Sequence, residues 1–90
     1  MNSKIIIIGG KGIACVVAEQ IIHAISNFGL KDEILGFAFK DETMDNVLGY
    51  PIVSRDYFEL AKKYEKYDDV KCVEVINGQS CVLYYSLGTN

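Results

Sequence analysis

Three glycines fall within four positions, Gly9-Gly10-Lys11-Gly12. They follow four consecutive isoleucines, Ile5 to Ile8, and precede a helical pattern that starts at Gly12 or Ile13. Glycine lets the backbone come close to a phosphate, and a helix that opens there offers unpaired N–H groups and the positive end of its dipole. The spacing is G-G-x-G rather than the full G-x-G-x-x-G of a dinucleotide fingerprint. The third glycine of that pattern falls on Cys15 counted from Gly10, or on Ala14 counted from Gly9. A tight strand-to-helix turn is the competing use for these glycines.

The other reactive side chains are sparse. Cys15, Cys72 and Cys81 show no C-x-x-C spacing, and each sits among apolar residues, as buried free thiols do. A reduced, cytoplasmic setting fits that usage. A zinc site needs more than the single His23, which falls on the polar side of its helix with Gln20 and Asn27, so no metal is expected. Asp41, Glu42 and Asp45 lie in a polar stretch, Lys40 to Asn46, and read as a solvated loop, with a ligand role for Asp41 as the alternative. Lys62, Lys63 and Lys66 read as a solvated helix face. No Ser/His/Asp or Cys/His constellation can be assembled, and no catalytic residue is assigned.

A chain of 90 residues makes one small domain, and a half-hydrophobic composition supplies it with a core. The net charge of -3 gives no electrostatic reason to expect nucleic acid. The longest apolar run is too short to span a bilayer, and no signal-peptide pattern precedes it.

The elements that must position the glycine turn follow from the patterning. In the strand Lys4 to Ile8 the four isoleucines are β-branched and apolar on both faces, as a central strand of a parallel sheet is when helices cover both sides. The helix to Phe28 buries Ala14, Val17, Ala18, Ile21, Ile25 and Phe28, and Gly29 is its left-handed cap. Ile34 to Phe39 is a second strand. A dinucleotide domain places an acid at its end, where this chain has Phe39 and Lys40, which disfavours NAD. Val47 to Val53 reads as an edge segment because Pro51 cannot donate to a ladder. Ser54 caps a helix from Arg55 to Tyr67, with Tyr57, Leu60, Ala61 and Tyr64 inward. Two apolar segments end the chain, Val70 to Ile76 and Cys81 to Leu87, around the hairpin signal Asn77-Gly78. The local signal asks for a hairpin, whereas a doubly wound domain asks for one more parallel strand. We expect Cys81 to Leu87 beside the first strand, with Val70 to Ile76 paired to it or irregular. The expected class is a small three-layer α/β domain with a mostly parallel sheet.

Lys4 to Glu19 resembles the opening of the N-terminal domain of bacterial nucleotide-sugar acetyltransferases, of the sialic-acid O-acetyltransferase and bacillosamine N-acetyltransferase type. Ile34-Leu35-Gly36-Phe37, Leu48-Gly49-Tyr50-Pro51-Ile52-Val53 and Tyr85-Ser86-Leu87-Gly88-Thr89-Asn90 resemble later landmarks of that domain, in the same order. The resemblance implies a Rossmann-like domain that binds a UDP-linked amino sugar. In that family a trimeric β-helix domain follows, which binds acetyl-coenzyme A and carries the catalytic histidine. By resemblance, residues 1–90 are a substrate-binding module, the N-terminal part of a longer chain, with no cofactor of its own. A trimer is expected only with the β-helix domain. The substrate-binding residues it implies are Gly9, Gly10, Lys11, Gly12, Ile13, Asp41, Gly88 and Asn90. Lys11 stands where the family has glycine, and Ile13 where it has histidine. Backbone N–H groups at Gly12 and Ile13 remain to hold phosphate, and Lys11 adds a positive charge. Of the family's acids after the second strand, only Asp41 survives. The alternatives are a structural or interaction domain of the same fold without a ligand, and a generic nucleotide-binding module.

Overall fold

The computed structural model describes residues 3–75 and 82–86. The chain runs β1 (Lys4–Ile8), α1 (Ile13–Phe28), β2 (Glu33–Ala38), β3 (Asn46–Val47), β4 (Tyr50–Ser54), α2 (Tyr57–Tyr64), β5 (Val70–Val75) and β6 (Val82–Ser86). The strands form one sheet in the order β3-β4-β2-β1-β5-β6. The four inner strands, β4, β2, β1 and β5, are parallel, and the short edges β3 and β6 are antiparallel to their neighbours. This is the expected α/β architecture with a mostly parallel sheet.

Alternation along β1 divides the core between the two faces. Ile5 and Ile7 join Ala14, Ala18, Phe37, Val47 and Val73 under α1. Ile6 and Ile8 join Ala38, Leu60, Val70 and Cys72 under α2. All four isoleucines are buried, each contributing roughly 1.5–3 kcal/mol by transfer from water. With α1 on one face and α2 on the other, strand order reverses beside β1: the chain moves outward through β2 and β4, then crosses back to β5. Open α/β sheets bind their ligands at the carboxyl ends of the strands at such a reversal.

The structure corrects four expectations. The parallel strand beside β1 is β5, Val70–Val75, in register from Lys4↔Val70 to Ile8↔Glu74. The segment expected there, Cys81 to Leu87, instead supplies β6, antiparallel to β5. The first apolar segment after α2 fills the inner place because it buries residues on both faces, Val70 and Cys72 on one and Val73 on the other. The local hairpin signal was therefore the better guide; Asn77-Gly78 lies outside the described residues.

Helix α2 is shorter than expected, and Asp56 caps it rather than Ser54. Ser54 is still in β4, opposite Ala38, and its hydroxyl donates to the Asp56 carbonyl at 2.8 Å. The Asp56 carboxylate then accepts the Phe58 N–H at 2.8 Å. The expected edge segment, Val47 to Val53, divides: Val47 ends the edge strand β3, whereas Pro51 lies in β4, one strand in from the edge. Pro51 faces Asn46 of the two-residue β3, while Ile52 and Ser54 pair with β2, so the missing donor is tolerated. Finally, Phe28 and Tyr57 are 78% and 50% exposed, because each lies at a helix end. Gly29 does cap α1 in the left-handed conformation, φ 64° and ψ 29°, and His23 is exposed as expected.

Candidate functional site

The glycine turn stands at the carboxyl end of β1. The Gly9 N–H donates to the Ala38 carbonyl at 2.8 Å, which ties the turn to the end of β2. Gly10 is buried, with the Phe39 ring packed so closely that a Cβ would stand 2.7 Å from Phe39 Cδ2. Gly12 opens α1 with φ 61° and ψ −127°, a conformation that favours glycine. Its carbonyl accepts from Cys15 and Val16 at 3.1 and 3.4 Å. Among the described residues no side chain caps α1, and its first turn holds no acid. The N–H groups of the first turn and the dipole of a helix more than four turns long are therefore presented beside the turn. Ile13 is 43% exposed at the same end.

Lys11 and Asp41 are brought together as an ion pair at 3.0 Å, across the top of β1 and β2. The Lys11 ammonium also stands 6.0 Å from the centre of the Phe39 ring. The Asp41 carboxyl is lowered to about 2, first by the Thr43 hydroxyl, then by the Thr43 N–H and by Lys11. The hydroxyl and N–H of Thr43 donate to it at 2.5 and 2.9 Å. Arg55 anchors the rest of this loop: its guanidinium donates to the Asp41 carbonyl, and to the Met44 carbonyl at 2.5 Å.

A cleft of about 400 Å³ opens at the carboxyl ends of β1, β2, β4 and β5, on the side of α2. That volume lies in the range of small-molecule sites. Its floor is Ile8, Gly9 and Ala38, and its walls are Phe39, Lys40, Ser54, Arg55, Asp56, Tyr57 and Glu74. The Tyr57 hydroxyl is raised above its ordinary value by burial, then by the charge of Glu74 and by Cys72. Burial and then Glu74 also push the Cys72 thiol up to about 11. This arrangement can bind a ligand with an anionic part near the cations and a flat face against Phe39. Among the described residues no group of three or more His, Cys, Asp and Glu is placed to hold a metal.

Of the residues expected from sequence, Gly9 lines the cleft, whereas Gly10, Lys11, Gly12, Ile13 and Asp41 are not among its lining; Lys11 and Asp41 are brought together with each other. Gly88 and Asn90 lie outside the described residues. Sequence reasoning missed Arg55, Tyr57 and Glu74. Arg55 directly follows β4 and Glu74 is the penultimate residue of β5, so correct strand order would have pointed to both. Phe39 and Lys40, which stand where a dinucleotide domain has its acid, line the cleft as well. No helix among the described residues is long and apolar enough to cross a membrane. No family model, no curated protein and no solved structure matches this chain.

Proposed function

We propose that this domain binds a nucleotide sugar, a UDP-linked amino sugar by resemblance, as the substrate-binding module of a bacterial sugar acetyltransferase. The observation that carries this reading is the position of the cleft. It lies where strand order reverses, beside a glycine turn and a helix start without a side-chain cap. The diphosphate would meet the backbone N–H groups of the turn and the first turn of α1, and the sugar or base would lie against Phe39. Acetyl-coenzyme A and the catalytic base belong to the β-helix domain that the resemblance implies.

A second reading has its own support. Gly10 already has a packing use under Phe39, and Lys11 is already engaged by Asp41. Both suit an interaction domain in which the turn is architectural. Amide NMR titration with UDP, a UDP-amino sugar, NAD and AMP separates the two. Shifts at Gly9 to Ile13 selective for the uridine ligands are the expected result. The absence of shifts with every ligand would refute the nucleotide-sugar reading and favour the interaction domain.

A further inference from the structure

The charges of the cleft are segregated. Lys40 follows the end of β2 and Arg55 follows β4, and these strands are neighbours in the sheet. Glu74 lies at the end of β5, on the far side of β1. Strands run about 4.8 Å apart, so the basic and acidic ends of the cleft stand roughly 10–14 Å from each other. Asp56, the acid next to Arg55, is committed to the cap of α2 through the Phe58 N–H.

Neither cation is held by a buried carboxylate among the described residues. Carbonyl oxygens of Asp41 and Met44 orient the Arg55 guanidinium without neutralising it. Asp45 approaches it to 3.8 Å, but its side chain is 96% exposed, and solvent screens such a pair to little. Lys40 is exposed and makes no ion pair among the described residues. Lys11, by contrast, is held by Asp41. Positive charge therefore enters the cleft at the ends of β2 and β4.

We infer that Lys40 and Arg55 form a second anion subsite, separate from the glycine turn, for a carboxylate or phosphomonoester carried by the ligand. This rests on the nucleotide reading above and adds that the ligand bears an anionic group besides its diphosphate. Two sources share that chemistry: the carboxylate of a nucleotide-linked uronic acid, and a phosphate on the ribose of an adenine dinucleotide. The loop geometry suits either, since Arg55 is fixed by its two carbonyl partners and loses little freedom on binding.

Isothermal titration and amide NMR at low salt, on the wild type and Lys40→Gln, test the subsite. The probes are UDP, UDP-glucose, UDP-glucuronic acid, NAD, NADP and inorganic phosphate. The expected result is roughly tenfold tighter binding of UDP-glucuronic acid than of UDP-glucose, the worth of one charge-assisted contact, with shifts at Lys40 and Arg55. Lys40→Gln abolishes the difference without changing the thermal midpoint, and Lys40→Arg restores it. The same preference for NADP over NAD, without one for the uronic acid, upholds the subsite and names ribose phosphate as its source. Equal affinities within both pairs, while UDP still binds, overturn the subsite and leave the nucleotide reading standing. If no nucleotide binds, the nucleotide reading falls and the phosphate titration decides. Shifts at Lys40 and Arg55 that vanish in Lys40→Gln uphold the subsite, and their absence overturns it.

Discussion

Alanine substitution along the glycine turn separates its architectural use from its ligand use. At Gly12 a Cβ meets none of the described residues within 4 Å, so Gly12→Ala costs only the conformation, φ 61° and ψ −127°. A non-glycine residue held in such a region costs about 1–3 kcal/mol. At Gly10 the cost is packing instead. The new Cβ stands 2.7 Å from Phe39 Cδ2 and 3.0 Å from its Cγ, whereas ordinary contact begins at 3.4 Å. The ring must retreat, at about 1–3 kcal/mol for overpacking, and it carries a wall of the cleft with it. At Gly9 both costs meet. Its φ is +114°, and the Cβ stands 2.9 Å from Ala14 Cβ, which is fixed to the α1 backbone. Gly9→Ala is therefore the most destabilising of the three, at about 2–6 kcal/mol. Urea denaturation followed by circular dichroism gives the three stabilities, and UDP titration of each folded variant gives affinity. Gly12→Ala should stay folded and bind UDP at least tenfold more weakly, because its methyl group stands where a phosphate oxygen approaches. A folded Gly12→Ala with wild-type affinity would refute phosphate approach at the turn. A loss of stability equal to that of Gly9→Ala would refute the claim that the space above Gly12 is open.

Further outcomes are expected from the rest of the fold. Leu60 is 1% exposed and is the buried residue of α2, so Leu60→Ala should lose about 2–5 kcal/mol, read by denaturant midpoint. Carboxyl NMR should place the Asp41 titration near 2, below its ordinary 3.8. The stabilisation it contributes is then complete above pH 3.8 and is lost as pH falls through about 2. Thr43→Val should raise that midpoint more than Lys11→Met, since the Thr43 hydroxyl is the larger cause; the reverse order would contradict the geometry. Cys72 is fully buried with its thiol raised to about 11, so iodoacetamide should modify it in urea and leave it unmodified in the native protein. Peptide mass spectrometry distinguishes it from the half-buried Cys15, and modification of both at equal native rates would be inconsistent with that burial.

What the sequence determined by itself is local. Four isoleucines in a row required a strand covered on both faces, and Ile5 to Ile8 are that strand. The apolar stripe of α1, its left-handed Gly29 cap and the glycine turn were legible for the same reason: short-range backbone preferences and side-chain periodicity set them. The tertiary structure decided which apolar segment won the place beside β1. Val70–Val75 and Cys81 to Leu87 look alike in composition; the former took that place, with Val70 and Cys72 buried under α2 and Val73 under α1. The same long-range choice set the cleft. Arg55, Tyr57 and Glu74 carry no motif, and they converge only because β4 and β5 end, and α2 begins, around the end of β1. Even the Lys11–Asp41 pair, 30 residues apart in sequence, exists because β1 and β2 run parallel and end together. Residue type and spacing are properties of a segment, whereas a site at the ends of four strands is a property of their order.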